Sequence, residues 1–314
     1  MVRLVNYVAL IVVASSLAWL LAAVTLDPRA NYAGRTPAPP AGVVDAALSE
    51  VNLNDKDPLF DRYLTWVSGV VRGDFGHTWD GASVGADLAE RAGVTLRLVT
   101  SGLVVGALLG LTVGTLAAVG HRGWFDRLSG GAVFLLLAVP TIVLANVLII
   151  GTVWFNDTTG TRFLMVSGEY TSGGPLDRLR HTVLPALTLA LPLAAILSRY
   201  QRSAMLDVLD ADYVRTARAK GLPRRKVIVN HALRTALIPT MTYLTFTFGA
   251  LLVGATITET VFGWHGLGQR LISAIVTSDV NTVAGITAVA AVTLVLCAVV
   301  ADVFQRVLNP GRAR

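Results

Sequence analysis

Residues 95–119 read TLRLVTSGLVVGALLGLTVGTLAAV. Beyond Arg97 the block holds no charge. At about 1.5 Å of helical rise per residue it outspans the roughly 30 Å hydrocarbon core of a bilayer. Blocks of the same kind recur at about 4–26, 128–155, 183–200, 236–258 and 282–308. The pattern predicts an all-α membrane protein with six transmembrane helices. The first block, preceded by Arg3, also has the form of a signal peptide; its length and the spans behind it favour an uncleaved anchor.

The composition points the same way. Of 314 residues, 54% are hydrophobic and only 15% charged, against about a quarter charged in an ordinary soluble domain. Mean hydropathy is +0.62. These values argue against a soluble enzyme, a disordered chain and a nucleic-acid binder, so the net charge of +6 reads as a topology signal. Arg202, Arg215, Arg218, Lys220, Arg224, Arg225, Lys226 and Arg234 gather in the loop 201–235, Arg122 and Arg127 follow the second span, and Arg312 and Arg314 close the chain. Lysine and arginine mark cytoplasmic loops, which predicts a multi-pass protein of the cytoplasmic (inner) membrane with both termini inside.

The acidic segment 27–94 then faces outward, followed by a five-helix core over 95–308 and a short tail, 309–314. Thr36-Pro37-Ala38-Pro39-Pro40 is a semi-rigid connector. Leu59, Tyr63, Trp66, Val67 and Val70 recur at helical spacing, predicting a short amphipathic helix over 58–71. Arg72-Gly73-Asp74-Phe75-Gly76 breaks it. The segment is expected to serve as an outer cap, as a docking surface for a partner that delivers solute, or as both.

Few residues suggest catalysis. His77, His121, His181, His231 and His265 lack the i,i+3 or i,i+4 pairing of a helical metal site, and Cys297 is the single cysteine, so no metal is expected. There is no Gly-x-Ser-x-Gly elbow, and none of Lys56, Lys220 and Lys226 follows a glycine, so the chain is not itself a P-loop ATPase. The estimated middles of the spans hold no ionisable residue, which argues against a proton-coupled carrier. Thr242, Thr245, Gly249 and Thr256 share roughly one face of the fifth span, beside Thr240, Thr247 and Gly254. They are expected to line a translocation path, or else to pack closely with hydroxyls turned back onto the helix. Pro140, Pro185, Pro192 and Pro239 are expected to kink or start helices.

Residues 210–223, DADYVRTARAKGLP, have the grammar of a short isolated helix. Asp210 or Asp212 suits the first turn, Arg218 and Lys220 the last, Gly221 a left-handed cap, and Pro223 forbids continuation. By itself such a helix serves equally as an anchor on anionic lipid or as a docking element.

The stretch Asp212-Tyr213-Val214-Arg215-Thr216-Ala217-Arg218-Ala219-Lys220-Gly221-Leu222, with His231-Ala232-Leu233-Arg234 and Ala236-Leu237-Ile238-Pro239, resembles the coupling-helix loop of dipeptide and oligopeptide ABC-importer permeases. Gly73-Asp74-Phe75-Gly76, Leu184-Pro185-Ala186-Leu187, Glu259-Thr260-Val261-Phe262 and Gly266-Leu267-Gly268 match further. The long segment after the first span fits the B-type subunit. The chain departs from the family at Thr25-Leu26-Asp27-Pro28, His265-Gly266 and Asn309-Pro310-Gly311-Arg312, away from the coupling loop. The resemblance implies a type I permease fold and the permease subunit of an ATP-driven peptide importer working by alternating access. It implies as partners a second homologous permease, an ABC-type ATPase that binds the ATP and Mg, and an extracytoplasmic substrate-binding protein; the chain itself holds no cofactor. Asp212 to Gly221 would dock on the ATPase, and Glu259 and Phe262 would mark an outer gate or receptor contact, with Glu259 alternatively capping a helix start. Nickel, glutathione or a sugar derivative remain open as cargo, because the loop reports coupling only. A self-sufficient secondary carrier is the rival class.

Overall fold

The computed structural model describes residues 2–33 and 35–308, with side chains at 2–4, 242, 245, 246, 249, 250, 252–254 and 301–308 outside the description. Among the described residues everything regular is helical, apart from one bridge between His77 and Ser83. The helices are α1 (Val2–Thr25), α2 (Ala41–Glu50), α3 (Leu59–Val71), α4 (Val84–Val119), α5 (Trp124–Ala138), α6 (Thr141–Thr159), α7 (Pro175–Leu209), α8 (Asp212–Ala219), α9 (Arg224–Val227), α10 (Arg234–Phe262), α11 (Leu267–Val276) and α12 (Val280–Leu308). Five described helices, α1, α4, α6, α7 and α12, are long and apolar enough to cross a membrane. The span expected at 236–258 lies within α10, a helix of 29 residues.

The span expected at 128–155 is not one helix. Pro140 has no N–H to donate, and it holds Val139 at φ −87°, ψ 121°, in extended backbone. The block therefore splits into α5 and α6, with Pro140 heading α6. Pro185 and Pro192 stay inside α7, and Pro239 inside α10.

The chain forms two compact units. One runs up to Leu96 and resumes over His265–Leu296; the other covers Arg97–Trp264 and resumes at Cys297. In the first unit, α3 lies where the periodicity puts it. Trp66 is buried and stacks on Trp19 of α1, ring centres 6.1 Å apart, and Tyr63 shares a 2.7 Å hydrogen bond with Ser16. Val67 and Val70 border the same core, formed with Val44, Leu48, Leu53, Val280 and Ala284, whereas Leu59 stays exposed. Arg72 ends the helix and Gly73 turns the chain at φ +83°.

In the second unit, α4 and α7 approach backbone to backbone. A Cβ placed on Gly102 would come within 2.8 Å of Leu189, on Gly106 within 2.9 Å of the Ala190 carbonyl, on Gly110 within 2.6 Å of Leu197, and on Gly114 within 2.5 Å of the Ser198 carbonyl. No residue but glycine fits those positions at this spacing. Gln201, buried on α7, accepts a 2.8 Å hydrogen bond from Thr240 on α10. Between α9 and α10, Ile228–Leu233 winds as a π-helix. The first buried residues on this rod are Val227, Ala232, Ala236 and Thr240. They lie five residues apart across the wider π turn and four apart beyond it, so one face stays inward.

Candidate functional site

The stretch 210–223 folds as the short helix its sequence predicts, with different chemistry at its start. Asp210 ends α7, and the N-cap is Ala211, whose side chain caps nothing; its carbonyl accepts from Val214 (3.0 Å) and Arg215 (3.1 Å). Asp212 sits in the first turn, where a carboxylate suits the positive end of the helix. The other end follows the expectation. Gly221 has φ +79°, its N–H donates to Arg218 O at 2.9 Å, and Leu222 N–H reaches back to Ala217 O at 3.4 Å. This pair of bonds satisfies carbonyls the helix end would leave bare, and the left-handed residue that makes it possible is a glycine.

α8 has two faces. Val214 and Ala217 are buried, in a cluster with Ala118 of α4, Met205 of α7, Val227 of α9, Ala232 and Ala236. Leu222 borders the same cluster. Asp212, Tyr213, Arg215, Thr216, Arg218, Ala219, Lys220 and Gly221 are exposed. Arg215, Arg218 and Lys220 have no ion pair among the described residues. The helix is thus seated on the ends of long helices through two small apolar side chains, and it turns a cationic, small-residue surface outward. Arg224 adds a tie of its own, donating to Val119 O at 3.2 Å.

A second tie lies beside it, and no sequence pattern announces it. Arg202 of α7 holds Asp126 of α5 through two bonds, Nε to Oδ1 at 2.6 Å and Nη2 to Oδ2 at 2.9 Å. Arg122 N–H adds a third at 2.9 Å, and His121 Nδ1 lies 3.6 Å from the carboxylate. The Arg202 guanidinium holds the Asp126 carboxyl down at about 2.

The other candidate positions are dispersed. The side chains of Thr242 and Thr245, and Gly249 beside them, fall outside the described residues. Thr256 is half-buried, and Thr247 turns its hydroxyl back to Tyr243 O at 2.9 Å. Glu259 and Phe262 are buried in the last turns of α10. Phe262 O accepts from Gly168 N at 2.8 Å, and Glu259 O from Trp264 N at 2.8 Å. α11 begins after Gly266, and its Leu267 N–H is met by Thr95 Oγ1 at 2.8 Å. Among the described residues no three His, Cys, Asp or Glu side chains gather as metal ligands.

With this geometry in hand, residues 110–314 match the family described as "Binding-protein-dependent transport system inner membrane component". The chain belongs to that family. Binding-protein-dependent permeases similar to it include the oligopeptide transport system permease protein OppB of Mycobacterium tuberculosis, 42% identical over 98% of this chain and 96% of that protein. The dipeptide transport system permease protein DppB of Escherichia coli K12 is 34% identical over 84% and 83%. Among solved structures, the MetNI methionine ABC transporter superposes with a TM-score of 0.56 at 22% identity, over 70% of this chain and 95% of that one. An amino acid ABC transporter gives 0.55 at 15% identity, over 77% and 97%. These likenesses show the type I ABC-permease fold, and the chain is the membrane permease component of such a transport system.

Proposed function

We propose that the cargo is peptide and that the chain forms half of a translocation path driven by a cytoplasmic ABC-type ATPase. A second homologous permease supplies the other half, an extracytoplasmic binding protein delivers the solute, and the ATPase binds ATP and Mg. The reading is carried by the division of α8. Val214 and Ala217 wedge it against the ends of α4, α7 and α10, and its outward face offers unpaired cations and small residues to an acidic cleft. Closing such a cleft moves α8, and through the shared cluster it moves the long helices. The names of the similar permeases supply the cargo class.

The basic residues of 201–235 support an inside position for that loop and for both termini, with 27–94 outside. On that topology Glu259 and Phe262, buried at the outer end of α10, suit a gate within the bundle better than a surface met by the binding protein. Thr242, Thr245, Gly249 and Thr256 are proposed to line the path, and membrane lipid covers the outer faces of the spans. A pull-down from native membranes in mild detergent, read by mass spectrometry, tests the assembly. An ATPase and a second six-span subunit in stoichiometric amounts are the expected result. Recovery of the chain alone, or as a homo-oligomer, would return it to the secondary-carrier class.

A further inference from the structure

The segment between α1 and α4 shapes a half-open pocket of about 600 Å³ lined among others by Tyr32, Arg35, Glu50, His77, Trp79 and Asp80, a size typical of small-ligand sites. Its walls are fixed mostly by bonds to backbone groups, and of the lining charges named only Asp80 is engaged, accepting from Thr78 Oγ1. Asn281 Nδ2 donates to Val51 O at 3.1 Å, at the end of α2, and to His77 O at 2.9 Å, joining two sides of the pocket. Thr78 N–H donates to Ala82 O and Ala82 N–H to Thr78 Oγ1, both at 2.9 Å, closing the turn that carries Trp79 and Asp80. Trp79 meets Tyr32 edge to face, ring centres 6.1 Å apart.

Arg35 lies over both rings, its guanidinium carbon 4.7 Å from the centre of Tyr32 and 5.5 Å from that of Trp79. It has no hydrogen bond or ion pair with any described residue. Arg29, a few residues earlier, is by contrast saturated by Asp45, Asn54 and Asp55. A guanidinium held flat on aromatic faces keeps its N–H edge free to take a carboxylate. Glu50 and Asp80 place carboxylates in the same lining, and neither has a cationic partner among the described residues. A cation and two anions without ionic partners, over an aromatic floor in one pocket, match a ligand that carries both charges.

We infer that this pocket binds a short peptide with both termini free, its carboxylate on Arg35 and its ammonium on Glu50 and Asp80. Three extended residues span about 10 Å, a length such a cavity accommodates. The choice of peptide rests on the proposed cargo; the requirement for a zwitterion comes from the pocket. The site would hold cargo on the permease itself, on the side where it is delivered.

The test is equilibrium dialysis of the full-length chain in lipid nanodiscs against radiolabelled trialanine, its C-terminal amide and its N-acetyl form. Saturable binding of trialanine is expected, weakened about tenfold or more by either blocking group, as for loss of a charge-assisted bond. Arg35→Gln should weaken trialanine equally and abolish the difference between free acid and amide; Glu50→Gln with Asp80→Asn should do so for the N-acetyl form. Arg35 is exposed, so the variant folds, and the blocked peptides need no variant at all. No saturable binding, or equal binding by wild type and Arg35→Gln, overturns the proposal. So does a loss of binding-protein docking in Arg35→Gln without any trialanine bound, which would make the pocket a protein contact. Peptide uptake by the assembled transporter reads the cargo separately: normal uptake with no trialanine on this chain removes the pocket alone.

Discussion

Ala217 and Arg218 are neighbours in sequence and opposites in environment. Ala217→Glu would push a carboxylate into the cluster of Met205, Val214 and Val227, and an unpaired buried charge costs several kcal/mol. The expected outcome is a lowered thermal midpoint and poor recovery of folded protein. Arg215→Glu with Arg218→Glu changes only the exposed face; the thermal midpoint should hold, while ATPase co-purification and peptide uptake fall at least about tenfold. Undiminished uptake in that double variant would sink the docking role of α8. Gly221→Ala meets no neighbour within 4 Å but must keep φ +79°, a strain of about 1 kcal/mol, so it should loosen the end of α8 without a clash. Asp126 gives a pH signature. Its folded pKa of about 2 lies below the usual carboxylate value near 3.9. The pair with Arg202 therefore contributes its full stability above about pH 4 and loses it as pH falls toward 2. Arg202→Gln should flatten that acid limb in thermal midpoints measured across pH.

Glycine sets the contact between α4 and α7. Gly106→Ala or Gly110→Ala forces the two helices apart, at a cost of about 1–3 kcal/mol, and thermal unfolding of the purified chain should show it. Gly130→Ala on α5, with nothing within 4 Å, should be neutral or slightly stabilising. The four-residue spacing of Gly102, Gly106, Gly110 and Gly114 is plain in the residues 95–119, yet length and hydropathy alone do not use it. The signal of close small-residue packing was there; the identity of the partner helix was not. α3 and α8 were legible because helical period, a left-handed glycine and a following proline are local rules. The break at Pro140 was obscured by apolar composition continuing on both sides. The Asp126–Arg202 pair, 76 residues apart in sequence, had no local signature, since tertiary packing alone chooses the partner. The hydroxyls near the fifth span divide as physics allows: Thr240 bonds across to Gln201 and Thr247 back to its own helix.

For the whole molecule, orientation is the first property to measure, and the single Cys297 makes that simple. In a Cys297→Ser background, a cysteine replacing Ala46 should react with a membrane-impermeant maleimide on intact cells, and one replacing Arg225 only after permeabilisation; both positions are exposed. The reverse pattern would invert the topology. The π-helical turn at Ile228–Leu233 has its own long-range consequence. Five residues separate Val227 from Ala232 where four separate Ala232 from Ala236 and Ala236 from Thr240, so the rod carries one residue more than an α-helix needs to join the same faces. Deleting Asn230, exposed within that turn, would convert it to ordinary α-helix. The later residues of α10 would keep their facing and shift by about 1.5 Å, while deleting Leu237 would rotate them by about 100°. Membrane-inserted, folded protein from the first deletion and not the second would show that the turn is a tolerated insertion, a place where the length of this polypeptide is negotiable.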